Sequence, residues 1–147
     1  MNKALKQAEI AYQKEEVPIG CVIVKDGKII ASAYNMREEL NDPTAHAEII
    51  ALQDASETLG GWRLTGCTMY VTIEPCAMCA GAIVNSRIDK LVIGSMDKKA
   101  GACGSILNIV QNDKLNHRVE MITGIMEQEC SNIMKNFFKD LRKKNKK

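Results

Sequence analysis

Three side chains in this chain have the chemistry of metal ligands, and they fall in two short stretches. His46 lies in Thr44-Ala45-His46-Ala47-Glu48, and Cys76 and Cys79 lie in Thr72-Ile73-Glu74-Pro75-Cys76-Ala77-Met78-Cys79. One imidazole and two thiolates suit zinc, which favours tetrahedral coordination by nitrogen and sulfur. Three protein ligands leave the fourth position open for water, the arrangement of a catalytic rather than a structural site. Glu48 follows His46 by two residues. It is not needed as a ligand and can reach over the open position as a proton carrier. The chemistry expected is hydrolytic, with a metal-activated water as nucleophile and Glu48 as the group that moves its protons.

Each part alone has a plainer explanation. Pro75-Cys76-Ala77-Met78-Cys79 by itself also fits a thioredoxin-like redox pair, or half of a four-cysteine structural zinc site. No second Cys-x-x-Cys completes such a site. His46 alone reads as a capping or core histidine, and Glu48 alone as a carboxylate complementing a helix dipole. The combination, with both halves opening helices, gives each residue a distinct task. His117, in Asn116-His117-Arg118, reads as a surface loop residue without a metal role.

The elements that must hold these residues follow from pattern. Residues 2–15 read as an amphipathic helix with Leu5, Ala8 and Tyr12 on one face. The runs 21–24 and 29–33 read as strands joined by a tight Asp26-Gly27 hairpin. After a polar loop over 35–43, a helix is expected from about Thr44 to Leu59, stopped by Gly60-Gly61. Residues 69–73 form a strand, and Pro75 suits the start of the next helix, so Cys76 and Cys79 share the face of its first turn. Amides exposed there lower thiol pKa values. A strand over 91–94, a Gly-rich loop over 95–104, a short helix over 105–110, a strand over 118–122 and an amphipathic helix over 127–142 complete the reading. The order is that of a three-layer α/β/α domain on a central five-stranded mixed sheet. The first strand pair is antiparallel, and parallel pairing is available to the later ones.

The whole chain, residues 1–147, fits one domain, with 46% hydrophobic and 26% charged residues. No apolar run approaches the roughly 20 residues that span a bilayer. The N-terminus has no apolar h-region, so no secretory signal is expected. Six cysteines then point to a reducing compartment, the cytoplasm, and Cys21, Cys67, Cys103 and Cys130 read as small buried hydrophobes. The net charge is only +2, but residues 135–147 carry seven basic side chains against Asp140, so that this segment is +6 and the remainder −4. Such asymmetry fits a polyanion contact at one end of the molecule or a solvated helix end.

The sequence resembles the bacterial tRNA-specific adenosine deaminases over almost its whole length. The zinc motif is shared with other nucleobase deaminases, of which His-x-Glu followed by Pro-Cys-x-x-Cys is the general signature. More specific are Glu16-Val17-Pro18-Ile19-Gly20, Asn35-Met36-Arg37-Glu38, Asp42-Pro43-Thr44-Ala45-His46, Gly101-Ala102-Cys103-Gly104-Ser105, Asn116-His117-Arg118 and Phe137-Phe138. The resemblance implies a cytidine-deaminase-like fold and hydrolytic conversion of adenosine to inosine at the wobble position of tRNA, with attack at C6. It implies one zinc per subunit on His46, Cys76 and Cys79, with Glu48 as proton shuttle. It implies purine recognition by Asn35, and Asp97 beside the RNA. It also implies a homodimer acting on an anticodon stem-loop. Lys139, Arg142 and Lys143 are the candidates for phosphate contacts on the basic helix and tail at 127–147. Family members usually have several residues before the first helix, whereas this chain begins inside it. Other readings of the same motif are deamination of a free base or nucleoside such as guanine or cytidine, and a zinc-stabilised RNA-binding module without catalysis.

Overall fold

The computed structural model describes residues 1–146; Lys147, the last of the basic residues counted above, lies outside the described residues. The elements run α1 (Asn2–Gln13), β1 (Gly20–Lys25), β2 (Lys28–Tyr34), α2 (Ala47–Leu59), β3 (Cys67–Ile73), α3 (Ala77–Asn85), β4 (Lys90–Ser95), β5 (Glu120–Ile122) and α4 (Glu127–Asn145). The five strands form one sheet in the order β2-β1-β3-β4-β5. β1 pairs antiparallel with both β2 and β3, whereas β3–β4 and β4–β5 are parallel, so the sheet is mixed as expected. The β1–β2 hairpin turns on Asp26 (φ 50°) and Gly27 (φ 75°), both left-handed as a two-residue turn matched to strand twist requires.

Helices cover both faces of the sheet. α2 and α3 pack on one side, α1 and α4 on the other. Alternation along β1 divides its side chains between the two layers. Cys21 and Ile23 join Ala51, Ala55, Ala80 and Ile83 in the main core. Gly20 instead lies under α1, where a Cβ would come within 1.9 Å of the Ala4 carbonyl oxygen and 2.6 Å of the Ala8 nitrogen. This contact explains a difference from the sequence reading. The buried stripe of α1 is Ala4, Ala8 and Ala11, with Leu5 and Tyr12 only half-buried, because the helix backbone rests directly on the strand and only small side chains fit between. Gly20→Ala is therefore expected to force α1 off the sheet and cost at least the roughly 1–3 kcal/mol typical of overpacking, read as a lower urea midpoint with the slope unchanged.

Three boundaries differ in ways that matter for the site. α2 begins at Ala47, not near Thr44, and His46 is its N-cap residue. α3 begins at Ala77 with Cys76 as N-cap, so Pro75 precedes the helix instead of starting it. The short helix expected at 105–110 is absent. Gly104 has φ 134°, its N–H donates to the Leu107 carbonyl at 2.8 Å, and Cys103 bridges to Asn108. Ile106 and Leu107 are exposed, so a helix there would have no apolar face to bury. The Gly60 stop holds: its φ is 74°, the left-handed residue that ends α2.

Candidate active site

β3 and β4 run parallel, and both end on the same side of the sheet. β3 leads through Glu74-Pro75 into the cysteine turn, and β4 leads into the loop over 96–105. Ligands of open α/β sheets characteristically sit beyond such carboxyl ends. The N-terminus of α2 reaches the same place. Asp42 accepts hydrogen bonds from the Thr44 amide (2.8 Å) and hydroxyl (2.7 Å), a local turn that sets the entry to His46.

His46 Nδ1 lies 3.6 Å from Cys76 Sγ and 3.5 Å from Cys79 Sγ. The three donor atoms all fall within 4.8 Å of one another. Metal–ligand arms of about 2.3 Å to sulfur and about 2.1 Å to nitrogen, opened to a tetrahedral angle, put the two donors about 3.6 Å apart. The donor set thus fits a tetrahedral metal ion without rearrangement. A hydrogen bond from Cys79, opposed by burial and helped by the Cys79 and Met78 amides, draws Cys76 down to about 5. The same bond and burial hold the Cys79 thiol well above its ordinary value. The pair shares one proton until a cation takes both sulfurs, which is the proton release expected on metal binding.

Glu48 is 3% exposed, and its Oε1 has no hydrogen-bond partner. Burial, with the charge of Cys76 adding to it, pushes its carboxyl up to about 7. A buried carboxyl left with an unused oxygen beside three ligand atoms has the position and proton affinity of a general acid–base group.

The other anticipated residues divide. Asn35 is buried, with Nδ2 donating to the Val17 carbonyl (3.3 Å) and Oδ1 accepting from the Arg37 amide (3.2 Å). One N–H and one lone pair of its amide remain beyond these two bonds. The next residue ties this loop to the site, since the Met36 amide donates to the Ala45 carbonyl at 3.0 Å. Asp97 caps its own turn, its Oδ1 accepting from the Lys99 and Ala100 amides at 2.9 and 3.3 Å. Lys139, Arg142 and Lys143 are exposed on α4. Lys143 lines a cleft of ≈ 850 Å³ with Lys144, Phe138, Leu141, Arg37 and Lys14. Phe137 is buried edge-on against Tyr12, whereas Phe138 and Leu141 remain 39% and 40% exposed. The C-terminal end of α4 is tied to α1 through Tyr12–Asp140 and to the turn after α1 through Glu15–Lys144.

His117 is not a free surface residue: it is half-buried and its Nε2 donates to the Ile88 carbonyl at 2.7 Å. Cys21, Cys67, Cys103 and Cys130 are buried and unpaired. Burial raises Cys103 to about 12 and Cys130 to about 11, so both are unreactive.

Two carboxylates carry more than the sequence suggested. Glu16, 1% exposed, accepts the Glu38 and Glu39 amides at 3.0 and 2.7 Å and so fixes the loop that follows Asn35. Glu74, 3% exposed, takes the Asp97, Cys103 and Ser105 amides at 2.8, 2.9 and 3.0 Å, together with the Ser105 hydroxyl. Burial alone would raise the Glu74 carboxyl, but these hydrogen bonds outweigh it and hold the group below its ordinary value. The sequence hints at these roles only by placing Glu74 directly before Pro75 and Glu16 two residues before Pro18, each at the edge of an apolar run.

A mixed five-stranded sheet with this donor set at its carboxyl edge defines a nucleobase-deaminase class, and a family profile described as MafB19-like deaminase matches residues 1–142. The chain belongs, within that class, to the family of tRNA-specific adenosine deaminases. It is 48% identical to the tRNA-specific adenosine deaminase of Bacillus subtilis (strain 168), over 99% of this chain and 91% of that protein. It is also 48% identical to that of Aquifex aeolicus (strain VF5), over 97% and 93%. A solved structure from work on A-to-I editing by tRNA:A34 deaminases at the wobble position of transfer RNA superposes with a TM-score of 0.87 at 44% identity, covering 90% of this chain and 96% of that one. The guanine deaminase from Nitrosomonas europaea shares the fold, with a TM-score of 0.81 at 20% identity over 92% of this chain and 81% of that one.

Proposed function

We propose that this chain is a single zinc-dependent catalytic domain that hydrolyses adenosine to inosine at the wobble position of a tRNA anticodon loop. The observation that carries this reading is the partnerless, buried Glu48 oxygen beside the His46, Cys76 and Cys79 donors, in a chain of this family. One imidazole and two thiolates are the donor set of zinc, which when bound would make water nucleophilic at neutral pH. Glu48 accepts a proton from the attacking water and delivers it to the purine N1 as C6 becomes tetrahedral. It then takes the proton of the new C6 hydroxyl and passes it to the departing amine, so that water and adenosine become inosine and ammonia. Asn35 holds the purine edge with the donor and acceptor its backbone bonds leave free. Dimerisation is supported by the family and by Met78, Ile106 and Leu107, which stay exposed on the cysteine turn and the Gly-rich loop. No helix among the described residues is long and apolar enough to cross a membrane. Six cysteines, unpaired among the described residues, support a reducing cytoplasmic setting.

An enzyme that works on a base must find it unstacked or extrude it. The test is to compare deamination of one adenosine presented in an anticodon loop and in a duplex of the same local sequence. The loop substrate is expected to react far faster, and equal rates would contradict the reading.

The basic end of α4 supplies a further test. Replacing Lys139, Arg142 and Lys143 together by Gln keeps helix propensity and spares Phe137, the one buried aromatic of this segment. If the three neutralise phosphates, the slope of log K against log salt should flatten by about 0.7 for each, up to roughly 2 in all. An unchanged slope in a folded variant would mean that the RNA lies elsewhere.

A further inference from the structure

Outside the reacting groups, the most heavily bonded buried charge is Glu74, and the chemistry above does not use it. Its two oxygens gather three backbone amides and a hydroxyl from residues 97–105, about as many donors as a carboxylate can take. The loop closes tightly on it. A Cβ on Gly101 would lie 2.3 Å from the Glu74 carboxyl carbon and 2.5 Å from the Asp97 carbonyl oxygen. The loop's own bonds are local turns: Gly101 N–H to Asp97 O (2.9 Å), Ile106 N–H to Gly101 O (3.0 Å), Gly104 N–H to Leu107 O (2.8 Å) and the Lys99 and Ala100 amides to Asp97 Oδ1. Its inner side is also pinned to the cysteine turn, where the Ala102 amide donates to the Pro75 carbonyl at 2.9 Å. Its outer side presents Lys98 and Lys99 to solvent.

We infer that Glu74 is a positioning residue for RNA binding: it anchors the 97–105 loop to the metal-ligand turn and so holds Lys98 and Lys99 where they meet the phosphates of the RNA strand. The inference rests on the function proposed above. A neutral Gln at this place would keep the size of the side chain but turn an NH2 group towards amide donors, so that at least one loop amide loses its acceptor. The loop would then sample other conformations, while His46, Cys76, Cys79 and Glu48 stay held by α2 and α3.

The experiment is Glu74→Gln in the zinc-loaded enzyme, with amide hydrogen exchange, metal content and steady-state kinetics on an anticodon stem-loop. Exchange at Asp97, Cys103 and Ser105 should quicken by at least about tenfold, the scale of one lost hydrogen bond to a charged group, while α2 and α3 keep their protection. Zinc content should hold. KM should rise at least about tenfold with kcat within about threefold of the parent, the pattern of lost binding in place of lost chemistry. Unchanged exchange in the loop would overturn the inference, as would a fall in kcat at constant KM or a loss of zinc along with the loop. If Glu74→Gln fails to fold, Ser105→Ala removes one hydroxyl donor and leaves the carboxylate in place. It should quicken exchange at Asp97 and Cys103 in the same loop-confined way, and unchanged exchange there would be fatal to the inference. A parent enzyme inactive on every RNA would refute the proposed function, whereas the exchange measurement would still decide whether Glu74 holds the loop.

Discussion

Glu48→Ala is expected to lower turnover by at least about 10²-fold, the low end for general acid–base catalysis, with zinc content and RNA affinity retained. The expectation follows from what Glu48 does not do. It is not one of the three donor residues, and its Oε1 bonds to nothing although it is buried. A buried carboxyl oxygen without a partner costs stability and persists where function needs it. Removing the side chain would take away the proposed proton path and only local hydrogen bonds, those to its own helix N-terminus and to Cys79. Single-turnover assays on saturating stem-loop isolate the effect, and turnover within a few-fold of the parent would exclude Glu48 as the shuttle.

Cys79→Ala should abolish activity by a different route. Cys79 is fully buried, and its sulfur lies 3.5 Å from His46 Nδ1, so two donors cannot reproduce the site without it. Zinc measured by atomic absorption should fall from about one per chain towards zero. The variant should also lose the stabilisation that a tightly bound ion confers, which is about 4 kcal/mol when free metal is a thousandfold above its dissociation constant. A chelator should lower the unfolding midpoint of the parent to that of the variant and leave the variant unmoved. Full zinc occupancy in Cys79→Ala would refute the assignment of this ligand.

The clustering of His46, Cys76 and Cys79 and the place of Glu48 beside them were legible in the sequence because they follow from residue type and short spacing. His46 and Glu48, like Cys76 and Cys79, are close in the chain, and each pair opens a helix that the apolar pattern marks. The mixed sheet was readable for a related reason: a two-residue turn compels antiparallel pairing, and helical connections permit parallel pairing. What escaped depends on contacts between distant residues. Nothing local says that Ala4, Ala8 and Ala11, and not Leu5 and Tyr12, face the sheet; that is decided by the missing Cβ of Gly20. The anchoring by Glu16 and Glu74 is likewise invisible, because the amides they hold are about 22 to 31 residues away. The helix expected at 105–110 failed for the same reason, since the Ser105 amide and hydroxyl are taken by Glu74. In the C-terminal segment the amphipathic pattern does not by itself say which of Phe137, Phe138 and Leu141 packs inward. The structure buries Phe137 and leaves the other two lining a cleft of mixed charge, with Lys14, Arg37, Lys143 and Lys144 facing Glu15, Glu16, Glu38 and Asp140.

The most direct test of the account is the product formed on an anticodon stem-loop with adenosine at its first anticodon position, assayed beside free adenosine, guanine and cytidine. The account predicts inosine at that one position, with ammonia released in equal amount, and no reaction of the free compounds under the same conditions. Consumption of guanine or cytidine with the stem-loop left unchanged would contradict it and would make this chain a deaminase of small substrates.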